Sequence, residues 1–233
     1  MREERFGSAT IILADCREAL EGVLFDAVVT DPPWQQARNI LGAEDPVGLF
    51  AEVAPQLARA RRVVVQLGDY SDPAILAPLA KHMQFLRACW LRYVPPSYRG
   101  RMLHEADLAY VYGSAPRSKP GRRVMPGTVT STGRVPEEAE VTRSHGRNRR
   151  SKTAKATAAR LAHPMARHLR HVRWLVQWFS DGDEVVLDPS SGSGTTGVAC
   201  IDLGRAFLGF EADPRFFDVA CRRLEQAARQ LQI

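Results

Sequence analysis

Short apolar runs alternate with stretches of helical spacing along most of the chain. Thr10-Ile-Ile-Leu13 reads as a strand, Arg17 to Glu21 as a short helix and Phe25-Asp-Ala-Val-Val-Thr30 as a second strand. A helix over Gly48 to Arg61, interrupted by Pro55, leads to the strand Arg62-Val-Val-Val-Gln-Leu67. Asp72 to His82 reads as a helix, followed by strands over Phe85 to Tyr93 and Asp107 to Tyr112. Further on, Met165, Leu169, Val172, Leu175, Val176 and Phe179 keep a helical period, with Trp174 and Trp178 as core or rim aromatics. Glu184-Val-Val-Leu187 is a strand, Thr195 to Leu203 a helix stopped by Gly204, and Ala206-Phe-Leu-Gly-Phe210 a strand. The last helix starts with Asp213 as N-cap and Pro214 in the first turn, and is expected to bury Phe217, Ala220, Cys221, Leu224 and Leu231. This alternation predicts an α/β fold with a doubly wound, mostly parallel sheet of Rossmann-like type, whose ligands bind beyond the carboxyl ends of the strands.

The pattern fails between residues 113 and 160, which are rich in Gly, Ser, Thr and Pro and hold no sustained period for most of their length. Twelve Lys or Arg residues fall there against three Glu, a net +9, while the whole chain carries +6. The rest of the chain is therefore mildly acidic, and the basic character belongs to one loop-like insert. So one-sided a charge exceeds what a solvated loop needs and matches a phosphate backbone, from which it would release counterions. We expect residues 1–112 and 161–233 to form the α/β domain and 113–160 the insert.

Composition narrows the class further. At 233 residues, 45% hydrophobic and 25% charged, the chain can bury a core without staples. No apolar run reaches the ~20 residues that cross a bilayer, and Met1 to Arg5 lacks the apolar stretch of a secretion signal, so a cytoplasmic location without membrane contact is expected. Cys16, Cys89, Cys200 and Cys221 form no Cys-x-x-Cys pair and read as buried thiols. His163, His168 and His171 have no nearby Cys or carboxylate to complete a metal shell and read as helix-surface histidines; no metal is expected.

Two motifs fall at strand ends. The first, Asp188-Pro-Ser-Ser-Gly-Ser-Gly-Thr-Thr-Gly197, matches G-x-G-x-x-G through Gly192, Gly194 and Gly197, and Glu211 ends the next strand where a ribose-binding acid would stand. That admits a nicotinamide dehydrogenase. Against it, few residues follow Glu211, and Asp188 places a carboxylate ahead of the glycine loop, which disfavours a pyrophosphate and suits a cationic cofactor. S-adenosylmethionine, with its sulfonium, ammonium and ribose diol, fits this pair of acids. The second motif is Asp31-Pro-Pro-Trp34. Read alone it is a proline turn leaving a strand; beside a cofactor loop, the Asp31 carboxylate and the Pro32 carbonyl could both accept hydrogen bonds from one exocyclic amino group, with Trp34 offering a flat face to a base. A non-catalytic nucleic-acid-binding protein would explain the insert but leave Asp31, Pro32 and Glu211 without a purpose.

With both motifs in hand, the chain resembles the beta group of DNA amino-methyltransferases, in which the catalytic tetrapeptide precedes the glycine loop and a variable segment lies between them. The likeness extends over Ala14-Asp-Cys16, Asp31-Pro-Pro-Trp34, the His163-Pro164 helix, the glycine loop and Gly204-Arg-Ala-Phe-Leu-Gly-Phe-Glu211. It implies catalytic roles for Asp31, Pro32, Pro33 and Trp34. It implies cofactor contacts from Asp15, Cys16, His163, Asp188, Pro189, Ser191, Gly192, Gly194, Thr195, Thr196 and Glu211. It makes the insert a target-recognition region binding double-stranded DNA, with Arg122, Arg123, Arg143, Arg147, Arg149, Arg150, Lys152 and Lys155 on phosphate, and it is compatible with a homodimer. Asp at the first position of the tetrapeptide points to adenine N6, with cytosine N4 as the alternative. The chain departs from the family pattern at Ser190, where Phe is usual, at His168, where the helix motif His163-Pro-Met-Ala-Arg-His168 usually ends in Pro, and at Trp34, where Tyr is commoner.

Overall fold

A computed structural model describes residues 2–33, 45–99, 101–119, 121, 124–132 and 167–231. Among the described residues nine strands form one sheet: β1 (Arg2–Phe6), β2 (Ala9–Leu13), β3 (Ala27–Thr30), β4 (Arg62–Leu67), β5 (Phe85–Arg99), β6 (Met102–Gly113), β7 (Thr128–Thr132), β8 (Val185–Asp188) and β9 (Ala206–Glu211). Their order is β1-β2-β9-β8-β3-β4-β6-β5-β7. The central five, β2 to β4, are parallel. β1 joins one end antiparallel, and the antiparallel β5–β6 hairpin extends the other. The doubly wound parallel sheet is thus present, with antiparallel margins.

The central strands are buried on both faces, as a parallel sheet covered by helices requires. β3 and β4 are buried along their whole length. On one face, α4 (Leu169–Phe179), α5 (Thr195–Asp202) and α6 (Pro214–Gln230) pack their apolar stripes onto Ile11, Val29, Val64, Val186 and Phe207. On the other face, α1 (Cys16–Ala19), α2 (Pro46–Leu57) and α3 (Ala77–Ala80) cover Val28, Val63, Val65, Leu187 and Phe210. Asp15, Asp45 and Asp213 each cap a helix by accepting a backbone N–H, which ties local sequence signals to helix starts.

Several expectations needed correction. Arg2–Phe6 is a strand although its charged residues show no alternation; as an edge strand it has no second neighbour to demand one, and charge there discourages further pairing. The helix expected from Asp72 begins as a 3-10 turn over Pro73–Leu76, and α3 is only four residues long, with Pro78 in its first turn, where the missing N–H interrupts the ladder from the preceding turn. The hairpin strands run to Arg99 and from Met102, beyond the predicted Tyr93 and Asp107. Within the loop-like insert, β7 pairs parallel with β5. His171 is fully buried rather than on a helix surface, whereas Leu231 is exposed at the C-cap of α6. Cys16, Cys89 and Cys200 are buried and Cys221 partly so.

The placement of β3 beside β8 decides where chemistry can occur. The chain leaves β3 for α2 and β4 on one side and leaves β8 for α5 and β9 on the other. Their carboxyl ends therefore open a crevice at the point where the winding reverses, the usual ligand position in such sheets.

Candidate active site

A cavity of about 1020 Å³ occupies this crevice. Asp31 and Pro33 line it from the end of β3, Asp188 to Ser193, Thr195 and Thr196 from the end of β8, Phe210 and Glu211 from β9, and Asp15 and Cys16 from the end of β2. The two strand-end motifs, 157 positions apart in sequence, thus face one space.

The glycine loop is organised by Asp188. Its Oδ1 accepts from Thr30 Oγ1 at 2.9 Å and from the Ser190 amide at 3.1 Å, and its Oδ2 accepts from Thr196 Oγ1 at 2.7 Å. Burial pushes this carboxyl up to about 6, against those three hydrogen bonds. Gly194 caps α5 with a left-handed φ of 77°, and a Cβ there would lie 2.9 Å from that of Ala220. Its role is therefore packing of the loop on α6, and it does not itself line the cavity.

Glu211 holds the far side. Its Oε2 accepts the Gly192 amide and its Oε1 the Asp213 amide, both at 2.8 Å. Burial pushes this carboxyl up to about 7. Each oxygen retains a lone pair for a further donor. Asp15, the cap of α1, pairs with Arg17 at 2.7 Å, which holds it below the ordinary carboxylate range. Cys16 is buried beside it, its thiol pushed up to about 12, and is no nucleophile.

Asp31 has a partner that the sequence reading did not assign. Arg167 grips its carboxylate with both edges, Nε on Oδ2 and Nη2 on Oδ1, each at 2.7 Å. Arg167 also reaches Asp107 Oδ2 on β6 at 2.9 Å. The signal was present, since Arg167 stands at the basic position of the His163-Pro-Met-Ala-Arg-His168 motif. Thr30 and Asp107 had no motif to reveal them. Pro32 is buried and does not line the cavity. Trp34, His163, Arg122, Arg123, Arg143, Arg147, Arg149, Arg150, Lys152 and Lys155 lie outside the described residues.

Among the described residues the cavity wall carries seven carboxylates, Asp15, Asp31, Asp45, Glu52, Asp188, Glu211 and Asp213, against three cations, Arg17, Arg167 and Arg215. Such a wall attracts a cationic ligand and opposes a pyrophosphate. Among the described residues no helix is long and apolar enough to cross a membrane, and no group of His, Cys, Asp and Glu could hold a metal ion.

Comparison with known proteins agrees with this geometry. The family profile N6_N4_Mtase, described as DNA methylase, matches residues 25–222. The type II methyltransferase M2.MboI of Moraxella bovis is 34% identical over 64 residues, 28% of this chain and 23% of that protein. M2.DpnII of Streptococcus pneumoniae, also a type II methyltransferase, is 49% identical over 45 residues, 19% of this chain and 16% of that protein. The chain thus spans about a quarter of the length of the first of these relatives, 23%. In fold, the crystal structure of an M1.HpyAVI-SAM complex superposes with a TM-score of 0.68 at 21% identity, covering 93% of this chain and 98% of that one. The cytosine-N4-specific PvuII DNA methyltransferase superposes with a TM-score of 0.64 at 14% identity, covering 96% and 92%. The profile match runs through both strand-end motifs and most of the chain, and the chain belongs to the N6/N4 DNA methylase family.

Proposed function

We propose that this protein transfers a methyl group from S-adenosylmethionine to the exocyclic N6 of adenine in double-stranded DNA. The observation that carries the reading is that Asp31 and Glu211, from two strand ends, line one acidic cavity. The residues fit the cofactor. The free lone pairs of Glu211 suit a ribose diol, and the buried charge of Asp188, whose three hydrogen bonds are internal, favours a cation nearby. Pro189, Ser191, Gly192, Thr195 and Thr196 form the loop wall against it, and Asp15 and Cys16 close the side. Bound there, the cofactor supplies a sulfonium methyl group, which passes to the amino nitrogen while the carbon–sulfur electron pair stays on sulfur.

Asp31 orients the acceptor. An adenine amino nitrogen is a weak nucleophile because its lone pair is delocalised into the ring. A hydrogen bond from one of its protons to Asp31 favours a pyramidal nitrogen, with the consecutive prolines fixing the backbone that follows Asp31. Positive charge developing on the nitrogen is stabilised by the Asp31 carboxylate. The amino group is buried in a duplex, so the base is flipped into the cavity, with Trp34 offering it a stacking face.

Asp at position 31 favours adenine over cytosine N4. Nucleoside mass spectrometry of DNA treated with the protein and labelled cofactor tests this: N6-methyladenine is expected, and N4-methylcytosine would refute the base assignment. Asp31→Ala should abolish transfer while leaving cofactor binding intact, and an active mutant would refute the mechanism.

A further inference from the structure

Arg167 is the centre of a buried polar network that the transfer chemistry described so far does not call upon. Three of its nitrogens are engaged: Nε and Nη2 on the two oxygens of Asp31, and Nη1 on Asp107. Asp107 is fully buried and is itself fixed by Gln66 Nε2 at 3.0 Å and by the Tyr93 hydroxyl at 2.6 Å. The chain of contacts crosses β3, β4, β5 and β6, so the guanidinium is anchored to the rigid sheet rather than to a loop. It cannot turn without breaking the Asp107 contact and both Asp31 contacts together.

This arrangement constrains Asp31 in two ways. A bidentate fork fixes the plane of the carboxylate, so the lone pairs left over for substrate point in a set direction. A guanidinium at 2.7 Å also favours the ionised form and lowers its basicity. Burial is the largest effect on Asp31 and, together with the acidic Asp107 from β6 and, across the cavity, Asp188 from β8, holds its carboxyl above the ordinary carboxylate range, with Arg167 opposing them. The Tyr93 hydroxyl, which burial keeps protonated, donates to Asp107. His171 on α4, lowered to about 4 by burial and by His168, adds no cation near neutral pH. Among the described residues Arg167 is thus the positive charge that works against these effects, in part.

We propose that Arg167 is a positioning residue for methyl transfer, holding Asp31 as an ionised, oriented acceptor that takes the amino proton only after the nitrogen has been methylated. This rests on the reaction proposed above. A neutral amino group is too weak an acid to yield a proton to a carboxylate, even to one whose basicity burial raises. Once the nitrogen has given its lone pair to the methyl carbon it is cationic, and it sheds one proton to an Asp31 oxygen and thence to water in the open cavity.

The experiment compares the wild type with Arg167→Met and Arg167→Lys. The Asp31 carboxyl is followed against pH by 13C NMR in the cofactor-free protein, with its resonance assigned by its loss in Asp31→Asn, and the pH profile of methyl transfer is recorded in parallel. Arg167→Met should raise the Asp31 midpoint and the acid limb of kcat by about 1–3 pH units, because a charge that opposes burial is lost. Its kcat should fall on the order of 100-fold at an unchanged affinity for S-adenosylmethionine, as a misplaced acceptor implies. Arg167→Lys should return the midpoint towards that of the wild type while recovering only part of kcat, since an ammonium restores charge without the fork. It also serves should the methionine variant not fold. An Asp31 midpoint unmoved by either substitution, or a variant with the rate and pH profile of the wild type, overturns the proposal. A wild type that transfers no methyl group overturns the reaction itself and this role with it, a failure seen before any substitution is made.

Discussion

Glu211 combines two functions that set its pH behaviour. Its oxygens tie the Gly192 and Asp213 amides together, which shapes the loop, and its remaining lone pairs face the cavity. Burial raises it to about 7 and Asp188 to about 6, well above their ordinary values. A carboxyl with a raised folded-state pKa contributes stability that is fully present below its unfolded value and is lost as pH rises through the folded one. The cofactor-free protein should therefore lose stability from these two groups between the ordinary carboxylate range and about pH 7, where both become buried anions. A bound cation reverses the preference and favours the ionised forms. Binding of S-adenosylmethionine near pH 6 should accordingly release protons, and calorimetry in two buffers of different ionisation enthalpy reads this directly. Buffer-independent heats at that pH would contradict the assignment. Glu211→Ala should weaken binding by about 1.5–3 kcal/mol, the worth of hydrogen bonds to a charged group.

At the scale of the element, the turn from β8 into α5 is where packing and chemistry meet. Gly194 has both a left-handed backbone and no room for a side chain against Ala220. Gly194→Ala should destabilise the protein by about 1–3 kcal/mol through overpacking and strain, and should displace the loop that carries Ser191 to Thr196. Lower thermal stability together with weaker cofactor binding is expected; a variant with unchanged melting and affinity would show that α6 can yield there. This turn was readable from its glycines because a left-handed position leaves a mark on sequence. The parallel core was equally legible, since β3, β4, β8 and β9 are short apolar runs bounded by turns. Arg2–Phe6 left no such mark, because an edge strand can be all charge. Asp107 was equally silent: it reads as one polar position in an apolar strand, and only the register of β6 against β4 and β5 brings Gln66 and Tyr93 to it. His171 looked like a surface residue from its polarity, yet its ring is buried with Nε2 at 3.0 Å from the Arg92 carbonyl.

At the scale of the whole molecule, charge is segregated between an acidic cavity and a basic insert, but the insert's positive charges are not all alike. Arg117 and Lys119, at its beginning, are already spent within the fold. Lys119 Nζ lies 2.9 Å from Asp181 and Arg117 lies 3.3 Å from Asp183, beside the buried pair of Arg62 with Glu184. These contacts fasten the start of the insert to the segment between α4 and β8, at the amino ends of the central strands and opposite the cavity. DNA phosphate would have to compete with those carboxylates for Arg117 and Lys119. We therefore expect two different outcomes from neutralising basic residues in one segment. Replacing Arg147, Arg149 and Arg150 by Gln should weaken DNA binding at low salt and flatten the slope of log affinity against log salt by up to about 3, because each phosphate neutralised contributes about 0.9. Replacing Arg117 and Lys119 by Gln should leave that slope unchanged while lowering thermal stability, since Asp181 is buried and loses a partner. Binding titrations of one duplex over a range of salt concentrations, run on both variants, measure the two slopes; a flatter slope in the Arg117 and Lys119 variant would place these residues on phosphate and break the division of labour within the insert.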